Sequence, residues 1–167
     1  LFADVHGAVN NVLSSTTFAQ GRLLGRAHYP IGWRMRLIGR VEFGYSLVET
    51  FGDLPASQRF FAGGDQSVRG YAYQSIGPRN EDGDVVGGRF LNVYSGEVEY
   101  RVYNNWGAAL FVDAGGVGND PGPELLMGVG AGLRYRAPIG SLQLDLAHPL
   151  DDDETGVRIH IGIRVGV

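Results

Sequence analysis

The chain has 167 residues, the length of one domain, and its 14 basic residues, all arginine, face 18 acids for a net charge of −4, a balance too mild for a general nucleic-acid binder. Its 27 glycines and 7 prolines are well above the usual share, but 44% of the residues are apolar, so the composition excludes a disordered chain. The absence of cysteine excludes disulfide scaffolds, thiolate metal sites and thiol nucleophiles, and fits export through an oxidising space.

The opening at Leu1, without an initiator Met or a basic-then-apolar leader, reads as that of a mature fragment. No apolar run is long enough for a transmembrane helix, whereas a membrane strand needs only about 9–11 alternating residues. Taken in chain order, residues 1–9 are ambiguous and 17–29 alternate loosely. Over 33–47, Trp33, Met35, Leu37, Val41, Phe43, Tyr45 and Leu47 oppose Arg34, Arg36, Arg40 and Glu42. Val98, Tyr100 and Val102 then oppose Glu97, Glu99 and Arg101, and 107–115 alternate less cleanly. Met127, Val129, Ala131, Leu133 and Tyr135 oppose Gly128, Gly130, Gly132, Arg134 and Arg136. Leu142, Leu144 and Leu146 oppose Gln143 and Asp145. Over 157–167 the odd positions are all Val or Ile, against Arg158, His160, Gly162 and Arg164. A period of two this regular predicts eight β-strands.

The connections alternate in length. Tyr29–Gly32, Tyr103–Trp106 and Arg136–Gly140 are short, while Asn10–Thr16, 49–88, Gly116–Glu124 and His148–Gly156 are long. An antiparallel meander with turns at one end and loops at the other is the asymmetry of outer-membrane barrels, and it places both chain ends on the periplasmic side. A soluble sandwich also alternates, but its polar face meets water. Here that face carries arginine and glycine, and Tyr29, Trp33, Tyr103, Trp106 and Tyr135 cluster near strand ends, as in interfacial girdles. The predicted class is therefore an all-β, up-and-down transmembrane barrel occupying 1–167 as a single domain. Eight strands enclose little space, and the connection 49–88 is far longer than ordinary loops. Gly128, Gly130 and Gly132 leave a bare stripe on the inner wall, where a loop can lie close. Both features predict that 49–88 folds into the lumen of a wider barrel, of which this chain is half.

The long loop contains Arg59-Phe60-Phe61-Ala62-Gly63-Gly64-Asp65-Gln66-Ser67-Val68-Arg69-Gly70-Tyr71. This run resembles the lumenal-loop signature of the outer-membrane protein assembly superfamily, whose core is Val/Ile-Arg-Gly-Tyr/Phe. Phe111-Val112-Asp113-Ala114-Gly115 resembles that family's Phe-x-Asp-x-Gly strand motif, and Glu97-Val98-Glu99-Tyr100 stands where the family carries a strand acid. Arg59–Tyr73 and the hairpin Pro138-Ile139-Gly140…Leu144-Asp145 look most like the translocation and assembly module branch. The resemblance spans 30–167, and four ordered elements at consistent spacing make it specific. It implies the second half of a sixteen-stranded barrel that follows periplasmic POTRA domains and inserts or exports other proteins. The partners implied are outer-membrane lipid, unfolded outer-membrane or autotransporter client strands, the POTRA domains and an inner-membrane partner subunit.

Parity adds to this independently. Asp113, Glu97 and Glu99 face the lumen, and a guanidinium suits them because its planar fork binds carboxylates bidentately. Val68, Arg69, Gly70 and Tyr71 are expected to lock the loop onto Asp113, Glu99 or both, with Gly63 and Gly64 as the loop hinge. His160-x-Gly162-x-x-Val165-x-Val167 resembles the C-terminal insertion signal of outer-membrane proteins, with aliphatic Val165 and Val167 in place of its usual aromatics.

Other chemistries fail. Asp151-Asp152-Asp153-Glu154-Thr155-Gly156 begins like a calcium loop, but Gly162 stands where the last ligand should be. Gly128-x-Gly130-x-Gly132 lacks the dinucleotide spacing, the four histidines are scattered, and a Walker lysine is impossible without lysine. The expectation is a non-catalytic assembly or translocation factor with no cofactor, metal or nucleic acid. Two other readings stay open: a two-partner secretion or patatin-type autotransporter barrel, and a passive porin-like or adhesin-like barrel. The chain alone is expected to self-dimerise or remain an open sheet, because a narrow closed barrel would crowd Arg34, Arg36, Arg40, Arg158 and Arg164 together.

Overall fold

The computed structural model describes residues 2–8, 17–151 and 156–165. Eight strands follow one another: β1 (Phe2–Ala8), β2 (Phe18–Ile31), β3 (Met35–Val48), β4 (Phe90–Tyr103), β5 (Trp106–Gly118), β6 (Leu126–Ala137), β7 (Gly140–Pro149) and β8 (Arg158–Val165). They form one antiparallel sheet in sequence order, each strand pairing with the next. Among the described residues no pairing joins β8 to β1, so the sheet is a partial barrel with two edges.

The alternation read from the sequence is the alternation of the two faces. Along β3, Arg40, Glu42, Gly44, Ser46 and Val48 are buried, while Val41, Phe43, Tyr45 and Leu47 are exposed. The outward face is apolar on every strand from β2 to β8, ending with Ile159, Ile161 and Ile163 at 65–73% exposure. An apolar face of that extent cannot face water without cost and matches the lipid-facing band of a membrane barrel. Aromatic pairs brace it across strands: Phe43 meets Tyr94 edge-on at 5.7 Å, and Tyr45 stacks on Phe90 at 4.7 Å.

Some strands run slightly past their sequence limits, whereas β3 begins at Met35, with Trp33 and Arg34 in the turn before it. β5 continues through Gly116 to Gly118, and β7 covers Gly140–Pro149 rather than 142–146. Glycine and proline weaken strand propensity, but the ladder holds them, as in the pairs Asn92↔Gly116 and Gly128↔Pro149. The short turns lie where expected, with Gly32 (φ +63) and Asn104 (φ +46) taking the left-handed conformation those turns require.

The buried apolar core is formed by the long connection against the inner wall. Phe60, Ala62, Val68, Tyr71 and Ile76 from residues 49–89 pack on Leu91 and Val93 of β4 and Val117 of β5. Burying a side chain such as Val68 contributes about 1.5–3 kcal/mol, so the loop is held by packing before any charge is counted.

Candidate functional site

The loop carries short structure of its own. Two 3-10 turns, Phe51–Asp53 and Ala56–Gln58, lead to bridges between Phe60 and Gly88 and between Ala62 and Ile76. Gly63 and Gly64 both have left-handed φ, +101° and +100°. That conformation lets the chain reverse, with Ser67 N–H donating to the Gly64 carbonyl (3.1 Å) and Gly64 N–H to the Val68 carbonyl (3.2 Å). Val68 then lies on β5 at Gly115, where a Cβ would come within 2.6 Å of Val68 Cγ2.

Next in the chain, Arg69 reaches three strands. Its Nε and one terminal nitrogen donate to the two oxygens of Asp113 on β5 at 2.7 and 3.0 Å. The other terminal nitrogen donates to Glu97 on β4 (2.9 Å) and Asp145 on β7 (3.0 Å). Arg69 N–H also donates to Asp113 (3.1 Å), and the guanidinium lies 3.4 Å from the centre of the Phe111 ring. Asp113 accepts a further bond from Ser95 Oγ (2.6 Å). Arg134 of β6 closes the cluster, donating to Glu97 (2.9 Å) and to Asp145. Three carboxylates thus share two guanidiniums, and Arg69, Asp113, Asp145 and Arg134 are all buried. Burial alone would lower the Arg69 pKa, but its hydrogen bonds to Asp113 and the charges of Asp113 and Glu97 outweigh that and hold it above the ordinary arginine value.

Flanking contacts fix the loop on either side. Arg40 of β3 donates to the carbonyls of Gln66 and Ser67, the latter at 2.5 Å. Gly70 (φ +102) lies against the end of β7, where a Cβ would sit 3.0 Å from Pro149 N and 3.1 Å from the His148 carbonyl carbon. The Tyr71 hydroxyl donates to the Met127 carbonyl (3.1 Å) and accepts the Asp151 amide (3.4 Å).

Of the residues expected to lock the loop, Val68, Arg69, Gly70, Tyr71 and Asp113 come together. Glu99 does not join them. It sits one inward position nearer the short turns, opposite Arg36, and pairs with Arg36 (2.6 Å) and Arg136. Its neighbour Glu97 takes the place next to Arg69. Asp145, Arg134, Phe111 and Arg40 were not anticipated as parts of the site, although all four lie on the inward parity that marked Asp113. On β8, His160 and Gly162 face inward; His160 Nε2 accepts the Gly70 amide (3.2 Å), and Gly162 lies against Gln143. Val165 closes β8 on the backbone, while Val167 and the acidic residues 152–154 lie outside the described residues.

Comparison with known proteins agrees with this architecture. The model of the Omp85 superfamily domain matches residues 2–167. The chain is 33% identical over 140 residues to the outer membrane protein assembly factor BamA of Nitratidesulfovibrio vulgaris, covering 78% of this chain and 18% of that protein. It is 32% identical over 156 residues to the chloroplastic outer envelope protein 80 of Arabidopsis thaliana, covering 85% of this chain and 19% of that protein. The chain therefore spans about a fifth of the length of these relatives. Among solved structures, BamA from Haemophilus ducreyi lacking POTRA domains 1–3 has the same fold, with a TM-score of 0.72 at 23% identity over 96% of this chain and 36% of that one.

Proposed function

The chain belongs to the Omp85 superfamily, and from that premise we propose that it is the C-terminal part of an outer-membrane barrel that assembles or translocates other membrane proteins without catalysis. The observation that carries this reading is the Val68–Tyr71 loop pinned to the inner wall through Arg69, Asp113, Glu97 and Asp145. A loop tied to three strands braces the wall from inside, and the seam where the first and last barrel strands meet offers an exposed edge. That edge is a template to which a client strand adds by backbone pairing. Residues 49–88 act as the lumenal brace, both chain ends face the periplasm, and POTRA domains precede the barrel. In the finer reading the chain belongs to the translocation and assembly module branch, takes autotransporter-type clients and works with an inner-membrane partner subunit. The sequence resemblance of Arg59–Tyr73 and of the hairpin Pro138-Ile139-Gly140…Leu144-Asp145 supports that branch.

Depleting the full-length protein in its own cells tests this. Folded, heat-modifiable outer-membrane barrels should fall while their unfolded precursors accumulate, and Arg69→Ala should complement only in part. Unchanged barrel assembly on depletion would refute the function. A loss confined to autotransporters would single out the finer branch.

A further inference from the structure

Resting on that reading, we propose that His160 is a positioning residue that couples the last strand to the lumenal loop, so that the loop's docking depends on where β8 sits. Two successive loop amides are donated to side chains of different strands. Arg69 N–H goes to Asp113 on β5, and Gly70 N–H goes to His160 on β8 (3.2 Å), ninety residues away in sequence. These two strands are not held alike. β5 is paired on both sides, by β4 and β6, whereas β8 is paired only with β7 among the described residues. The contact to Asp113 therefore ties the loop to an interior strand of the sheet, and the contact to His160 ties it to β8, the strand to which the proposed client adds. A client strand that adds to β8 and shifts it moves the acceptor of the Gly70 amide. The loop passes close to the end of β7 here, where a Cβ on Gly70 would come within 3.0 Å of Pro149 N and 3.1 Å of the His148 carbonyl carbon, so it has little room to follow.

The contact also has a chemical condition. An imidazole nitrogen accepts an amide proton only through its lone pair, so His160 must be neutral with its hydrogen on Nδ1. A second proton makes Nε2 a donor facing another donor. The charged groups around the ring are Asp65 and Arg69 of the loop, Asp145 of β7 and Arg158 of its own strand.

The test uses the full-length protein in outer-membrane vesicles, with any cysteines elsewhere replaced and Val68→Cys, a fully buried loop position, as the reporter. Its labelling rate by a water-soluble maleimide reads loop release. His160→Ala should speed labelling about fivefold, the scale of one lost hydrogen bond. His160→Gln, whose amide oxygen can accept the same proton, should stay near the parent. Equal rates in the Ala and Gln variants would overturn the coupling, and so would a Gln variant that labels about fivefold faster than the parent, which holds even if His160→Ala fails to fold. Client assembly is read in parallel. Loop release with undiminished assembly would count against the proposed function while leaving the coupling in place.

Discussion

Replacing Arg69 by alanine should undock the loop without unfolding the sheet. Among the described residues, removing the guanidinium leaves Asp113 with Ser95 Oγ and the Arg69 amide as hydrogen-bond donors, while Glu97 and Asp145 keep Arg134. Glu97 and Asp145 would then share one cation, and Asp113 would have lost its ion pair. Breaking a shielded pair of this kind costs about 3–5 kcal/mol when the survivor stays buried. Here the loop can lift and rehydrate Asp113, so the cost caps at the free energy of docking. A weakening of about 2–3 kcal/mol is expected, roughly that of one hydrogen-bonded charge pair. Hydrogen exchange measures it directly, because the amides of Phe60, Ala62, Gly64 and Gly88 are all bonded within the loop. Their protection should fall together in Arg69→Ala, while amides in the β4–β5 ladder keep theirs. Arg69→Lys should recover only part of the loss, since an ammonium cannot make the bidentate contact. A double-mutant cycle with Asp113→Ala should give a coupling energy of about 1.5–3 kcal/mol. A coupling near zero would show that packing alone docks the loop and would remove the brace from the mechanism.

Glu99→Gln should leave loop protection unchanged, because Glu99 is paired with Arg36 and Arg136 rather than Arg69; loss of protection equal to that of Glu97→Gln would contradict this assignment. Gly128→Ala should loosen the loop by about 1–3 kcal/mol, because its Cβ would run into the Arg69 carbonyl oxygen, a backbone atom with little room to move; exchange at the same loop amides checks it. Ile161→Arg should destabilise the barrel by about 2–4 kcal/mol if the residue lies at mid-membrane, measured by urea unfolding in vesicles. A cysteine at 161 that reacts readily with water-soluble maleimide would contradict a lipid-facing position.

The sheet was legible because it obeys one rule. With one face in lipid and the other polar, side-chain parity fixes inside and outside at every position, and Val157, Ile159, Ile161 and Ile163 reveal it even in isolation. β2 was faint because Gly21 and Gly25 thin its outward face while Leu24 and Pro30 break the polar pattern of its inward one, and its pairing with β3 over Phe18–Ile31 makes its length plain. Parity says which side a residue faces, not how far along the barrel it sits. Glu97 and Glu99 share the inward face, and the choice between them depends on height. In the register, Glu97 lies opposite Phe111, under the Arg69 guanidinium, whereas Glu99 lies opposite Arg36 on its other side. The loop's path decides that height, and residues 49–89 carry no period from which to read it.

Asp145 was hidden for a different reason, which also accounts for the glycines of β6. Asp113 and Asp145 lie on β5 and β7, with β6 between them, so one guanidinium can reach both only if β6 presents no side chains there. Gly128, Gly130 and Gly132 supply that gap, and each is filled by a part of the site. The Arg69 carbonyl lies over Gly128, the Phe111 ring over Gly130, and the Asp145 carboxylate with the Arg134 guanidinium over Gly132. Each glycine costs a strand roughly 0.5–1 kcal/mol relative to alanine, which is offset by the contacts it permits. A bare stripe flanked by an inward acid on each neighbouring strand is thus the sequence trace of a cation bridging two strands. Asp113 and Asp145 are that pair, and Arg69 is the cation.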